Sequence, residues 1–250
     1  MTVTFRILGC GSSGGVPRIH GDWGDCDAQN PKNRRTRCSM LVRKTSADGK
    51  TNLLIDTSPD MRDQLIDAGT DWLDGVLYTH DHADQTHGID DLRAMVYARR
   101  QRIKVWMDNA TAQTLTKRFA YCFSQMRGSD YPSILEDNRI TVPYPNIAID
   151  GAGGSLSAIP FRQIHGRIDS LGFRIGNVAY SSDISELPEE SEDVLSELDV
   201  WVVDALRRTP HPTHFHLEKT LKMIEKIKPR RAILTNLHID MDYQTLVGEL

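Results

Sequence analysis

Short apolar runs, broken by glycine, proline and asparagine, recur from one end of the chain to the other. They predict strands over 4–8, 39–42, 52–55, 75–78, 103–106, 157–164, 171–175, 178–181, 200–203 and 232–234. Helical spacing predicts helices over 59–68 with Ser58 as N-cap, from 84 or 85 to about 99, and over 110–119. Two more are expected over 217–227, ahead of Pro229, and from Tyr243 to the end. Strands come first in runs and later alternate with helices in both halves. That order favours two sheets sandwiched between helices, a four-layer αββα arrangement, over a strict βαβ repeat. No Pro/Gly/Ser-rich linker and no short repeat interrupts the pattern, so a single domain over 1–250 is expected. The polar stretches 19–37 and 124–138 predict long surface loops.

Composition narrows the field without choosing within it. Hydrophobic residues at 39% and charged residues at 26% are ordinary globular values and exclude a disordered or fibrous chain. A net charge of −4 supplies no basic footprint for large nucleic acids or anionic membranes. No apolar run reaches the length of a membrane span. The first residues alternate like a strand instead of showing a signal peptide's basic-then-apolar pattern, and Cys10, Cys26, Cys38 and Cys122 lack paired spacing. Reduced thiols in a cytoplasmic protein are the expectation.

The histidines carry the chemistry. His80 and His82, in Thr79-His80-Asp81-His82-Ala83-Asp84-Gln85, follow the apolar run Val76-Leu77-Tyr78. In extended backbone, residues two apart point the same way, so both imidazoles can reach one metal ion. Asp84 either caps the following helix or offers an oxygen to a neighbouring ion. Downstream, His165 and Asp183 each end a predicted strand, and His238 closely follows another. Strand ends gather at sheet edges, where sites are built. Three imidazoles and a carboxylate suit zinc, manganese or iron.

The string His80-x-His82-x-Asp84, followed in order by His165 and Asp183, resembles the metallo-β-lactamase-fold hydrolases. The opening Leu8-Gly9-Cys10-Gly11-Ser12-Ser13-Gly14-Gly15-Val16-Pro17 is similar to the branch holding tRNase Z and the phosphoribosyl cyclic phosphate phosphodiesterases of PhnP type. Trp23–Asp27, Asn30–Arg35 and His87-Gly88-Ile89-Asp90-Asp91-Leu92-Arg93 look like the phosphodiesterase branch. The resemblance implies the αββα fold and two divalent ions. His80, His82, His165 and Asp183 would hold the first, and Asp84 and Asp183 would share the second. Two departures bear on that second ion: Gln85 and Asn236 stand where the family has histidines. Amide carbonyls suit harder ions such as manganese, so one tight and one weaker site are expected, with Gln85 or His238 assisting the latter.

The family also places a histidine after the 200–203 strand to meet the phosphate or protonate the leaving group, and His214 is the candidate. His211 is a further candidate substrate contact, and His216 is expected to begin the next helix. Ser12 and Ser13 belong to a glycine loop that either approaches a phosphate through backbone N–H groups or simply forms a tight turn. Arg34, Arg35, Arg37, Arg93, Arg207 and Arg208 are candidate phosphate binders, Arg93 foremost. The resemblance implies a metal-dependent phosphodiesterase, with Asp84 and His214 catalytic, acting on a small nucleotide or cyclic ribose phosphate. A homodimer is compatible with the pattern. The rival readings are an ester, thioester or lactone hydrolase on the same fold, and a binding protein that has lost the second metal.

Overall fold

The first sheet is laid down almost in chain order. In the computed structural model, which describes residues 1–250, the strands and helices begin with β1 (Thr2–Gly9), β2 (Ser39–Ser46), β3 (Gly49–Ile55) and α1 (Met61–Asp67). They continue with β4 (Gly75–Leu77), α2 (Ala83–Thr86), α3 (Leu92–Arg99), β5 (Ile103–Asp108), α4 (Asn109–Arg118), α5 (Ala120–Phe123) and β6 (Leu135–Ile140). The sheet order is β1-β2-β3-β4-β5-β6. β2 and β3 pair antiparallel, whereas β3, β4, β5 and β6 are parallel neighbours joined by helical crossovers. Parallel strands are apolar on both faces, and here Leu54, Val76 and Val105 pack with Trp72, Leu92 and Leu115 in one buried cluster.

The second sheet follows with β7 (Ile147–Ile149), β8 (Leu156–His165), β9 (Ile168–Ile175), β10 (Val178–Ser181), α6 (Glu189–Glu192), β11 (Val200–Asp204), α7 (Leu217–Ile227), β12 (Arg231–Thr235) and α8 (Tyr243–Glu249). Its order is β12-β11-β10-β9-β8-β7, and β10, β11 and β12 are parallel. Phe161, Ala179, Trp201 and Phe215 are buried together beside the apolar side of α7. The chain divides into two compact units. Met1–Leu8 with Ser39–Ala158 forms one, and Gly9–Cys38 with Ile159–Leu250 forms the other. Two mixed sheets with flanking helices make this the α/β sandwich class expected from the strand and helix order.

Several local expectations need correction. The helix expected from 84 or 85 to 99 is broken into α2, a 3-10 turn at Ile89–Asp91, and α3. Gly88 causes the break, because a Cβ there would sit 2.2 Å from the carbonyl oxygen of Ser58. Gly88 N–H donates instead to the Thr57 carbonyl at 2.9 Å. α1 starts at Met61 rather than 59, while Ser58 Oγ accepts from the Asp60 amide at 3.2 Å and closes the turn before it. The loop expected over 124–138 ends inside β6, whose middle is polar; pairing of Ile103 through Asp108 with Leu135 through Ile140 recruits it as an edge strand. β7 was equally invisible as a short polar-flanked run. Trp72 and Trp201 are buried and Trp106 is half-buried. All four cysteines are free, and no helix is long and apolar enough to cross a membrane.

The stretch 19–37 is more than a surface loop, because Asn33 and Arg35 are buried in it. Asn33 Nδ2 donates to Asp242 Oδ2 at 2.6 Å and to the Asp27 carbonyl at 3.1 Å, and its Oδ1 accepts from Tyr243 N at 2.8 Å. Asp242 also caps α8, accepting from Thr245 N and Thr245 Oγ1, both at 2.9 Å. The Thr245 amide foremost, with Asn33 and the Asp27 amide, holds the Asp242 carboxyl well below the usual carboxylate range. A depressed folded-state pKa stabilises the fold above the unfolded value, near pH 3.9, and that contribution is lost as pH falls through the folded value. Asp242→Asn should therefore cost about 1–2 kcal/mol at pH 7, by urea unfolding. The gap from the unsubstituted protein should narrow between about pH 5 and pH 2. A gap independent of pH would contradict the assignment.

Candidate functional site

Each unit brings its own set of donors to strand ends. In the first, the chain leaves β4 and runs through Thr79-His80-Asp81-His82 before α2, for which His82 is the N-cap. Asp56, just past β3, sits at φ +61°, in the left-handed region that aspartate tolerates better than most residues. There its carboxylate accepts from Thr79 N at 2.8 Å and Thr79 Oγ1 at 2.9 Å. With the hydroxyl proton directed to Asp56, Thr79 Oγ1 accepts from His80 Nδ1 at 3.0 Å. That fixes the tautomer and leaves the lone pair of His80 on Nε2. The His80 and His82 rings meet edge-on with centroids 4.5 Å apart. Asp84 lies in the first turn of α2 and accepts from Gln85 Nε2 at 3.1 Å, so the amide orients the carboxylate. Arg93 is ion-paired to Asp90, bonded to Tyr97 Oη and stacked over Tyr97 and Tyr121.

In the second unit three parallel strands end together, and the residues at or after those ends are Asp204, Asp183 and Asn236. The register pairs Ser181 with Val203 and Asp204 with Thr235. Asp183 and Asn236 lie at φ +54° and +62°, turning the chain sharply off β10 and β12. Asp204 is fully buried; its Oδ2 accepts from His214 Nδ1 at 2.8 Å and from Ile184 N at 3.1 Å. Burial pushes its carboxyl up, opposed by His214, by the Ile184 amide and by Asn236. Its Oδ1 is buried without a hydrogen bond. His165 ends β8 and donates from Nδ1 to the Thr213 carbonyl at 2.6 Å. Both imidazoles therefore turn Nε2 lone pairs away from their holders. The ligand atoms of His165, Asp183 and His214 lie within 4.8 Å of one another, so His214 groups with two of the expected ligands. The His165 imidazole with its fixed tautomer and the Asp183 carboxylate are donors that fit a divalent ion, and His214, held by Asp204, stands beside them.

Beside them is a cavity of about 220 Å³ lined by Ser12, Arg18, Asp183, His214 and Asn236, with Ser13, Arg207, His211 and His238 at its walls. Ser12 Oγ is buried there with no hydrogen-bond partner. His211 is lowered in pKa, first by burial and then by His214, Arg207 and His238. His238 donates from Nδ1 to Asp240 Oδ1 at 3.2 Å. The glycine loop is largely a tight turn: the amides of Gly11, Ser12, Gly15 and Val16 bond to the carbonyls of Thr36, Leu237, Ser12 and Arg35. Arg35 is structural, because its buried guanidinium donates to Met241 O at 2.6 Å and to Asn33 Oδ1 at 3.1 Å. Arg208 pairs with Glu249 at 2.9 Å, while Arg207 reaches the carbonyls of Thr209 and Pro210. Arg18 and Asp204 were missed in the sequence. Asp204 ends an apolar strand in the same manner as Asp183, and that signal was available; Arg18 offers none.

Residues 51–239 match the beta-lactamase superfamily domain. The chain belongs to that superfamily. A crystal structure described as a new diphosphatase from the PhnP family is 34% identical, with a TM-score of 0.86 over 100% of this chain and 92% of that one. The metallo-β-lactamase fold and a PhnP-like character follow, together with the divalent metal chemistry and hydrolase class that the fold implies. An octanoyltransferase of Porphyromonas gingivalis is 32% identical over 234 residues, which are 92% of this PhnP-like chain and 45% of that protein. The chain thus spans less than half the length of that relative. Zinc-bound PqqB from Methylobacterium extorquens, at 17% identity and TM-score 0.70 over 99% of this chain and 95% of that one, shares the fold alone.

Proposed function

We propose that this PhnP-like chain hydrolyses a phosphodiester in a small nucleotide or cyclic ribose phosphate. The observation that carries the reading is the second unit's cavity, where Arg18, Arg207, His211 and the unpartnered Ser12 hydroxyl stand beside Asp183 and His214. Cationic and hydroxyl donors around a small polar cavity suit a phosphate group. A relative described as a diphosphatase supports hydrolysis at a phosphorus centre.

The family's ligand order assigns His80, His82, His165 and Asp183 to one ion, and Asp84 and Asp183, with Gln85, Asn236 or His238, to a second. Bound divalent ions supply Lewis acidity toward phosphoryl oxygens and water ionised near neutral pH. The chain's own residues do the rest. Ser12, Ser13 and His211 orient the phosphate, and Asp84 is held in position by Gln85 Nε2. Asp204 steadies the protonated form of His214, whose Nε2–H passes a proton to the departing alkoxide. Arg93 has no part in this reading, because Asp90, Tyr97 and Tyr121 occupy its guanidinium.

A second reading, hydrolysis of an acyl ester or thioester, is favoured by one observation, the identity shared with an octanoyltransferase. One kinetic series tests both. A ribose cyclic phosphate should be cleaved with higher kcat/KM than an octanoyl thioester; the reverse order would replace the first reading by the second. Within the same series His214→Ala should lose about 10²–10⁴-fold on the cyclic phosphate, whose alkoxide needs a proton, and far less on bis-nitrophenyl phosphate. Equal losses on the two would withdraw the acid role.

The second ion is held more weakly than the first and prefers manganese to zinc, because oxygen donors replace imidazoles at Gln85 and Asn236. After dialysis against a mild chelator, activity should recover further with manganese. Two equivalents of zinc surviving that dialysis would show the idea to be wrong.

A further inference from the structure

Charge is distributed unevenly in the first unit. Residues 92–133 carry eight lysines and arginines against two aspartates, in a chain whose net charge is −4. Three of those arginines are matched locally: Arg93 by Asp90, Arg99 by Asp71 at 3.3 Å, and Arg118 by Asp81 at 3.9 Å. Arg100 and Arg102 are different. Both are exposed, neither forms an ion pair, and both line a cavity of about 580 Å³ between the end of α3 and residues 125–133. Arg100 closes α3 in the left-handed conformation at φ +53°, which ends the helix at the cavity edge. The other walls are Tyr97, Tyr131, Gln101 and Gln125, with Val96 among the lining residues. Tyr131 is 67% exposed and Tyr97 39%, so both rings are accessible.

We propose that this cavity binds a nucleoside phosphate. Its volume lies within the range of small-ligand sites. The Tyr131 ring, and the face of Tyr97 opposite Arg93, accept a base by stacking, which every base permits. Two unpaired guanidiniums, close in sequence, suit a phosphate. The amides of Gln101 and Gln125 offer both donors and acceptors to base edges. A solvated basic surface would need only the charges. The conjunction of a cavity, two rings and two unmatched arginines is what points to a ligand. The site lies wholly in the first unit, whereas the phosphate cavity proposed for hydrolysis lies wholly in the second, so neither reading depends on the other.

The test is equilibrium dialysis of the full chain with adenosine 5′-monophosphate, inorganic phosphate as the control, and melting temperature as the check on folding. Arg100→Ala combined with Arg102→Ala should weaken nucleotide binding at least about tenfold, and Tyr131→Ala about fivefold or more. His214→Ala should retain it. Photolabelling with 8-azidoadenosine monophosphate should mark Tyr97 or the 125–133 segment, a readout that needs no variant. Several results would overturn the proposal: no binding, phosphate binding as tightly as the nucleotide, loss of binding in His214→Ala, or label confined to other segments.

Discussion

A carboxylate buried at the end of β11 is the constraint on which the second unit's chemistry depends. Asp204 is excluded from solvent, and an ionised carboxylate in that position is destabilising unless its oxygens find donors. The imidazole of His214 and the amide of Ile184 provide them at Oδ2, Oδ1 has no hydrogen bond, and Asn236 adds to the same electrostatic effect. The Asp204 backbone carbonyl accepts from Thr220 Oγ1 at 2.7 Å, tying the strand end to α7. One residue thereby holds the segment after β10, the histidine segment after β11 and the first turns of α7. If its side chain lost its partners, His214 would lose its orientation with them.

The first unit solves the same problem with another aspartate. Asp56 follows β3 in a left-handed conformation, accepts the Thr79 amide and hydroxyl, and through that hydroxyl sets the tautomer of His80. In both units the imidazole is held through Nδ1 and offers Nε2. A ligand oriented before binding loses less conformational freedom when it binds, which is why outer hydrogen bonds tune metal affinity. The left-handed turns at Asp56, Asp183 and Asn236 belong to the same design, since each redirects the chain immediately after an apolar strand. Short polar side chains are the non-glycine residues that enter that region at least cost.

Much of this is legible in the sequence. Apolar runs located ten of the twelve strands, because buried parallel strands leave a strong local signal. β6 and β7 were missed: one is polar at its centre and takes its conformation from β5, and the other spans only Ile147–Ile149. The break at Gly88 depends on a carbonyl thirty residues away in sequence, which no local pattern contains. For the site, spacing and strand ends singled out His80, His82, His165 and Asp183, and the family resemblance added His214. What it could not supply were the holders. Asp56 and Thr79 look like ordinary strand-end residues, Asp204 carries the same strand-end signal as Asp183 but nothing that marks it as a holder, and Arg35 looks like a loop arginine until its contacts with Met241 and Asn33 are seen.

The central claim is that protein hydrogen bonds fix which nitrogen each of these histidines presents to its site, independently of any ion. Long-range nitrogen–proton NMR spectra of the imidazoles in the metal-free chain test it most directly. At a pH where the rings are neutral, His80, His165 and His214 should each show a protonated Nδ1 and an unprotonated Nε2. Asp204→Ala should scramble His214 and leave His80 unchanged. Protonated Nε2 atoms, or rapid averaging between the tautomers in the unsubstituted chain, would contradict the account.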